Sequence, residues 1–134
     1  METGGYKGSG RDIPKSDLYA LFDKSLGLAP DHILNEYGMT ELSSQCYTRG
    51  LHRPHETPPW LRALVIDPET GDETPVGRTG VLQLFDLANL GSTLAIETQD
   101  LAVREERGFT LLGRDPGAVP RGCSRAADEM LRSL

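Results

Sequence analysis

The stretch "HILNEYGMTELSSQ", His32 to Gln45, decides how the chain is read. Two apolar residues, Ile33 and Leu34, lead at once into Asn35, Glu36, Tyr37, Gly38, Met39, Thr40 and Glu41. The pattern predicts a short strand from Ile33 to Asn35, ending in an aromatic ring, a glycine, a hydroxyl and a carboxylate. Local chemistry leaves two readings open. One is a turn in which Thr40 caps a following helix. The other is a ligand site at a strand end, where glycine admits a close backbone path.

Upstream, "ETGGYKGSGRDIP" is glycine-rich and polar, which is loop composition. Pro14 and Ser16 then open a helix, with Ser16 as its expected N-cap. Leu18, Leu21, Phe22 and Leu26 follow at helical spacing, and Gly27 stands where a helix ends. This first third has the look of a βαβ unit whose first strand would precede Met1. Downstream, prolines 54, 58 and 59 favour loop between Glu41 and Pro59. Leu61–Asp67, Val81–Phe85 and Thr93–Thr98 are expected strands, and "FTLLG" closes the apolar pattern. "DPETGDETPVGRTG" supplies the turn of a hairpin. Ser124 is placed to cap a terminal helix over Arg125–Arg132.

The fold class expected is therefore α/β in the mixed α+β sense. A βαβ remnant over 1–59 precedes a small, mostly antiparallel β-rich subdomain over 60–134. Together they form one partial domain, a piece of something larger.

The chain has 134 residues, 37% hydrophobic and 25% charged, enough for one modest core. A formal net charge of −6 argues against a nucleic-acid surface. No run of about 18 apolar residues offers a membrane span, and no apolar h-region marks a signal peptide. A cytoplasmic location is expected. Two cysteines, Cys46 and Cys123, read as free thiols, with Cys46 structural.

Four short motifs taken in order resemble the adenylate-forming ligases. These are Thr3-Gly4-Gly5, "YGMTE" from Tyr37, "ETQDL" from Glu97, and "GFTLLGRDPG" from Gly108. The branch that looks most similar is that of the LuxE-type acyl-protein synthetases and phenylacetate–CoA ligases, in its C-terminal part. The resemblance implies ATP/AMP and Mg²⁺ as cofactors. It also implies a carboxylic substrate such as a fatty acid, joined first to AMP and then passed to a thiol.

Residue by residue, the resemblance puts Gly4 and Gly5 beside the adenine and Tyr37 against it, with Gly38 giving the tight path. Thr40 would reach the α-phosphate, and Glu41 would hold Mg²⁺, a cation that favours carboxylate oxygen. Asp100 would accept from the ribose hydroxyls, although Gln99 replaces the family's glycine before it. Asp86, in "LFDLANLG", competes for that role with a poorer fit. Arg114 would contact ribose or phosphate. Cys123 resembles the acyl-accepting cysteine of the acyl-protein synthetases, where Arg121, Arg125 and a helix start would favour thiolate.

Two histidines, His52 and His55, lie beside Glu56, but Pro54 breaks any helix that would align them, so zinc is not expected. Trp60 is expected as a packing anchor at a strand start. The family's phosphate-wrapping loop and its lid have no match in the sequence. Two functions follow. The chain is either part of an acyl-activating enzyme completed by an upstream polypeptide, or a non-catalytic remnant that binds nucleotide or a partner. The first expects an exposed sheet edge and apolar face, and an isolated chain that is marginally stable or forms a homodimer.

Overall fold

The computed structural model describes residues 1–3 and 13–117. Gly4, Gly5, Cys123 and the helix expected over 125–132 lie outside the described residues. The one α-helix among them, α1, runs Lys15–Leu26. Its N-cap is Pro14 at φ −52°, with no side-chain cap. The Pro14 carbonyl accepts from the N–H groups of Asp17 and Leu18. Ser16 is therefore inside the helix and not its cap, as the sequence had suggested, because proline already fixes the entry geometry. Gly27 ends the helix in the left-handed conformation, φ 63°, as expected.

The first sheet holds β1 (Glu2–Thr3), β2 (Leu34–Tyr37) and β3 (Cys46–Arg49), in that order. β1 pairs with β2 in parallel across α1, and β3 returns antiparallel. The first strand of the βαβ unit is thus Glu2–Thr3 and not a segment before Met1. β2 also extends to Tyr37, so the tyrosine belongs to the strand and not to the turn after it. β3 lies in the proline-dotted segment that was expected as loop.

The second sheet is an antiparallel meander of β4 (Leu61–Ile66), β5 (Thr79–Asp86), β6 (Ala95–Arg104) and β7 (Phe109–Arg114). β6 is longer than the expected Thr93–Thr98 and runs through the whole "ETQDL" motif. The turn at Asp67–Asp72 closes as its residues suggest. Asp67 Oδ1 accepts the Glu69 N–H at 2.9 Å, and Gly71 adopts φ 77°.

The sheets share one core. Tyr37, Leu42 and Cys46 from the first pack with Leu61, Val65, Leu82, Leu84, Ala102 and Phe109 from the second. Burial pushes the Cys46 thiol up to about 12. A two-way backbone bridge, His55 N–H to Phe109 O at 2.7 Å and Phe109 N–H to His55 O at 3.1 Å, joins the proline segment to β7. Gly108, at φ 82°, is needed there, since a Cβ would collide with the His55 carbonyl.

Asp86, at the end of β5, is fully buried. It accepts hydrogen bonds from Ser43 N–H, Ser44 N–H, the Ser44 hydroxyl and Ala88 N–H, at 2.9–3.0 Å. Burial raises its pKa, but these donors outweigh that and hold it below the usual carboxylate range. α1 contrasts with this. Of its residues only Tyr19 is buried, and Leu21 and Leu26 are 54% and 71% exposed.

Asp86→Ala strands several buried donors, so urea unfolding should show a loss of about 3 kcal/mol or more. Asp86→Asn, keeping one acceptor oxygen, should lose less. A loss under about 1 kcal/mol for the alanine variant would show that Asp86 does not join the sheets.

Candidate nucleotide site

The "YGMTE" strand and the "ETQDL" strand belong to different sheets, and a hydrogen bond joins them. The Tyr37 hydroxyl donates to Asp100 Oδ2 at 2.7 Å, across 63 positions of sequence. Tyr37 is 8% exposed, with its ring edge-on to Phe109 and His55. Burial, then the bond to Asp100, raises its pKa, so it stays a donor.

Asp100 is aimed by a bulge. Gln83 pairs with Glu97 and Val81 with Leu101, so Thr98, Gln99 and Asp100 face the single residue Leu82. The Thr98 hydroxyl closes the bulge by donating to Leu82 O at 2.7 Å and accepting the Asp100 N–H at 3.1 Å. A second irregularity lies opposite. Leu101 pairs with Gly113 and Ala102 with Leu111, and Gly113 sits at φ 117°. Bulges of this kind redirect side chains. Here they flank the Asp100–Arg114 register pair. Arg114 Nη2 donates to Gln99 Oε1 at 2.6 Å.

Gly38, Thr40 and Glu41 are exposed just beyond β2. The segment after them is pinned by Asp86, and the Glu41 carbonyl accepts from Asn89 Nδ2 at 2.9 Å. The structure thus gathers Tyr37, Asp100 and Arg114, and leaves Thr40 and Glu41 on the adjoining loop. Asp86, the competing acid, is closed to solvent and engaged inside the fold. Among the described residues no group of three or more His, Cys, Asp or Glu is arranged to hold a metal. A lone exposed carboxylate still fits Mg²⁺, which is usually held by one or two carboxylates plus ligand phosphates.

Trp60 is not the packing anchor expected. It is 51% exposed, and its Nε1 donates to Ser44 Oγ at 2.9 Å. An indole can bridge a wet surface and a polar partner, and that competes with burial. Sequence reasoning missed a polar cluster behind the site. Asn35 Oδ1 meets Lys15 Nζ and His55 Nε2, each at 2.9 Å, while Asn35 Nδ2 donates to Glu2 Oε2 at 3.0 Å. Tyr19 donates to the same Glu2 oxygen at 2.9 Å. An asparagine directly after the apolar Ile33-Leu34 pair was the available signal.

No family model matches the chain. A long-chain-fatty-acid–luciferin-component ligase of Vibrio harveyi is 28% identical over 81 residues, 60% of this chain and 21% of that one. ATP-bound MatB from Rhodopseudomonas palustris superposes at TM-score 0.57 with 27% identity, over 74% of this chain and 23% of that one. Sequence and fold place the chain in the adenylate-forming ligase superfamily. Apo MatB from the same organism gives TM-score 0.61 and 24% identity, over 89% of this chain and 26% of that one. The chain spans about a quarter or less of the length of these proteins. No helix among its described residues is long and apolar enough to cross a membrane.

His55 carries a pH dependence. It is 4% exposed, and its Nδ1 has no partner among the described residues. Burial, then the Lys15 charge, lowers its pKa to about 4. The unfolded chain, titrating near 6.5, takes up the proton first as pH falls. Stability is then full above about pH 6.5, drops by about 2–3 kcal/mol down to pH 4, and levels off below. Urea midpoints across that range should show the slope, and His55→Gln should flatten it. An equal slope in the variant would assign it elsewhere.

Proposed function

We propose that the chain is the nucleotide-binding portion of an ATP-dependent acyl-activating ligase of the acyl-protein synthetase kind. The observation that carries this is the Tyr37–Asp100 hydrogen bond, which brings the ends of the two family motifs together from separate sheets. In the reaction, a carboxylate oxygen attacks the α-phosphorus of ATP and pyrophosphate leaves, giving an acyl-adenylate. A thiolate then attacks the acyl carbon and AMP leaves.

Asp100 supplies acceptor oxygens for ribose hydroxyls. Arg114 supplies a fork of donors for ribose or phosphate oxygens. Thr40 offers a hydroxyl to the α-phosphate. Tyr37 and Gly38, with Gly4 and Gly5, would border the adenine. Mg²⁺, when bound, would add positive charge against the phosphates, and Glu41 is the residue to hold it. Cys123 is the candidate acyl acceptor.

An upstream polypeptide would complete the site. Two features support this. β1 lies at the end of its sheet. Beside it, Met1, Phe22, Leu26, Leu28 and Ile33, together with Glu2, line a mostly apolar hollow of about 200 Å³. Apolar surface beside a strand edge is the kind of feature that supports docking of a further segment.

Co-expression with the upstream polypeptide, followed by carboxylate-dependent ATP–pyrophosphate exchange, tests the reading. Exchange is expected in the reconstituted form, reduced at least about tenfold by Asp100→Ala, since such preorganised polar contacts commonly contribute that much. Absence of exchange in every reconstituted form, with nucleotide binding retained, would favour a non-catalytic binding domain.

A further inference from the structure

We propose that Gln99 is a positioning residue that holds the Arg114 guanidinium beside Asp100. The inference rests on the nucleotide-site reading above and extends it to a residue that the family motif leaves without a side chain.

In a regular strand, residues 99 and 100 would point to opposite faces. The bulge in β6 removes that constraint, because Thr98, Gln99 and Asp100 together face Leu82. The Thr98 hydroxyl locks the bulge from within. Gln99 then grips the end of β7 twice. Its side-chain oxygen accepts from Arg114 Nη2 at 2.6 Å, and its backbone carbonyl accepts the Asp115 N–H at 2.8 Å. Gly113, at φ 117°, lets β7 turn so that Arg114 reaches it.

The chemistry at position 99 fits this role. A neutral amide oxygen orients a guanidinium without cancelling its charge, whereas a carboxylate there would do both. A long side chain already held in one direction loses less freedom when an anionic ligand arrives. Tyr37 does the equivalent for Asp100 from the other side. The acceptor and the donor of the site are each held by a neighbour that is itself uncharged.

The test uses the full chain, with Gln99→Ala, Gln99→Glu, Arg114→Ala and the double variant Gln99→Ala/Arg114→Ala. Side-chain ¹⁵N relaxation at Arg114 Nε, without nucleotide, should show a rigid guanidinium in the parent and in Gln99→Glu, and a mobile one in Gln99→Ala. Calorimetric titration with AMP should show Gln99→Ala weakening binding about three- to tenfold. Arg114→Ala should weaken it as much, and the double variant no further. Gln99→Glu should also weaken AMP, by charge, while leaving adenosine unaffected.

An Arg114 side chain equally rigid in Gln99→Ala would overturn the proposal. So would additive losses in the double variant. If the parent shows no saturable AMP binding, the nucleotide reading fails, and the relaxation data alone then decide whether Gln99 positions Arg114.

Discussion

A carboxylate without access to water joins the two sheets. Asp86 ends β5, and its donors come from Ser43, Ser44 and Ala88. They are backbone N–H groups and one hydroxyl, so dipoles at fixed positions stabilise the charge. Such a group tolerates little displacement, because each lost donor exposes an unsolvated charge. This fixes the segment immediately after Glu41, and with it the direction in which the chain leaves β2. Trp60 depends on the same point, since its indole N–H rests on the Ser44 hydroxyl that Asp86 holds. The candidate site and the junction between the sheets thus share one anchor.

Much of this was legible in the sequence where residues act locally. Gly27 as a helix end and the Asp67–Gly71 turn follow from backbone freedom and short-range hydrogen bonding. The mixed fold class followed from the order of apolar patterns. What escaped was non-local. Ser16 has a cap's chemistry, but Pro14 had already set the helix start. β3 forms despite the prolines around it because Cys46–Arg49 finds the β2 edge. β6 could not be delimited by alternation, since its bulge breaks the period of two at the motif itself.

The two acids of the second sheet show the same limit. Both precede a leucine, but Asp86 follows the apolar pair Leu84-Phe85 and Asp100 the polar Glu97-Thr98-Gln99. Motif order favoured Asp100 as the site residue. Only the fold shows that Asp86 is enclosed by the 43–44 loop, while Asp100 lies on a bulge within reach of Tyr37 and across from Arg114. The pairing of Gln99 with Arg114 had no sequence signal either, because a glutamine in place of a glycine reads locally as a loss.

The buried thiol of Cys46 has a consequence for following the protein in time. It sits at the start of β3, fully enclosed, in the cluster where both sheets contribute side chains. Thiol reagents attack the thiolate, and burial has pushed that form far above neutral pH. Modification of Cys46 therefore waits for the sheets to part. Its rate counts openings of the junction and not encounters at the surface, which makes this residue a clock built into the seam between the two motifs.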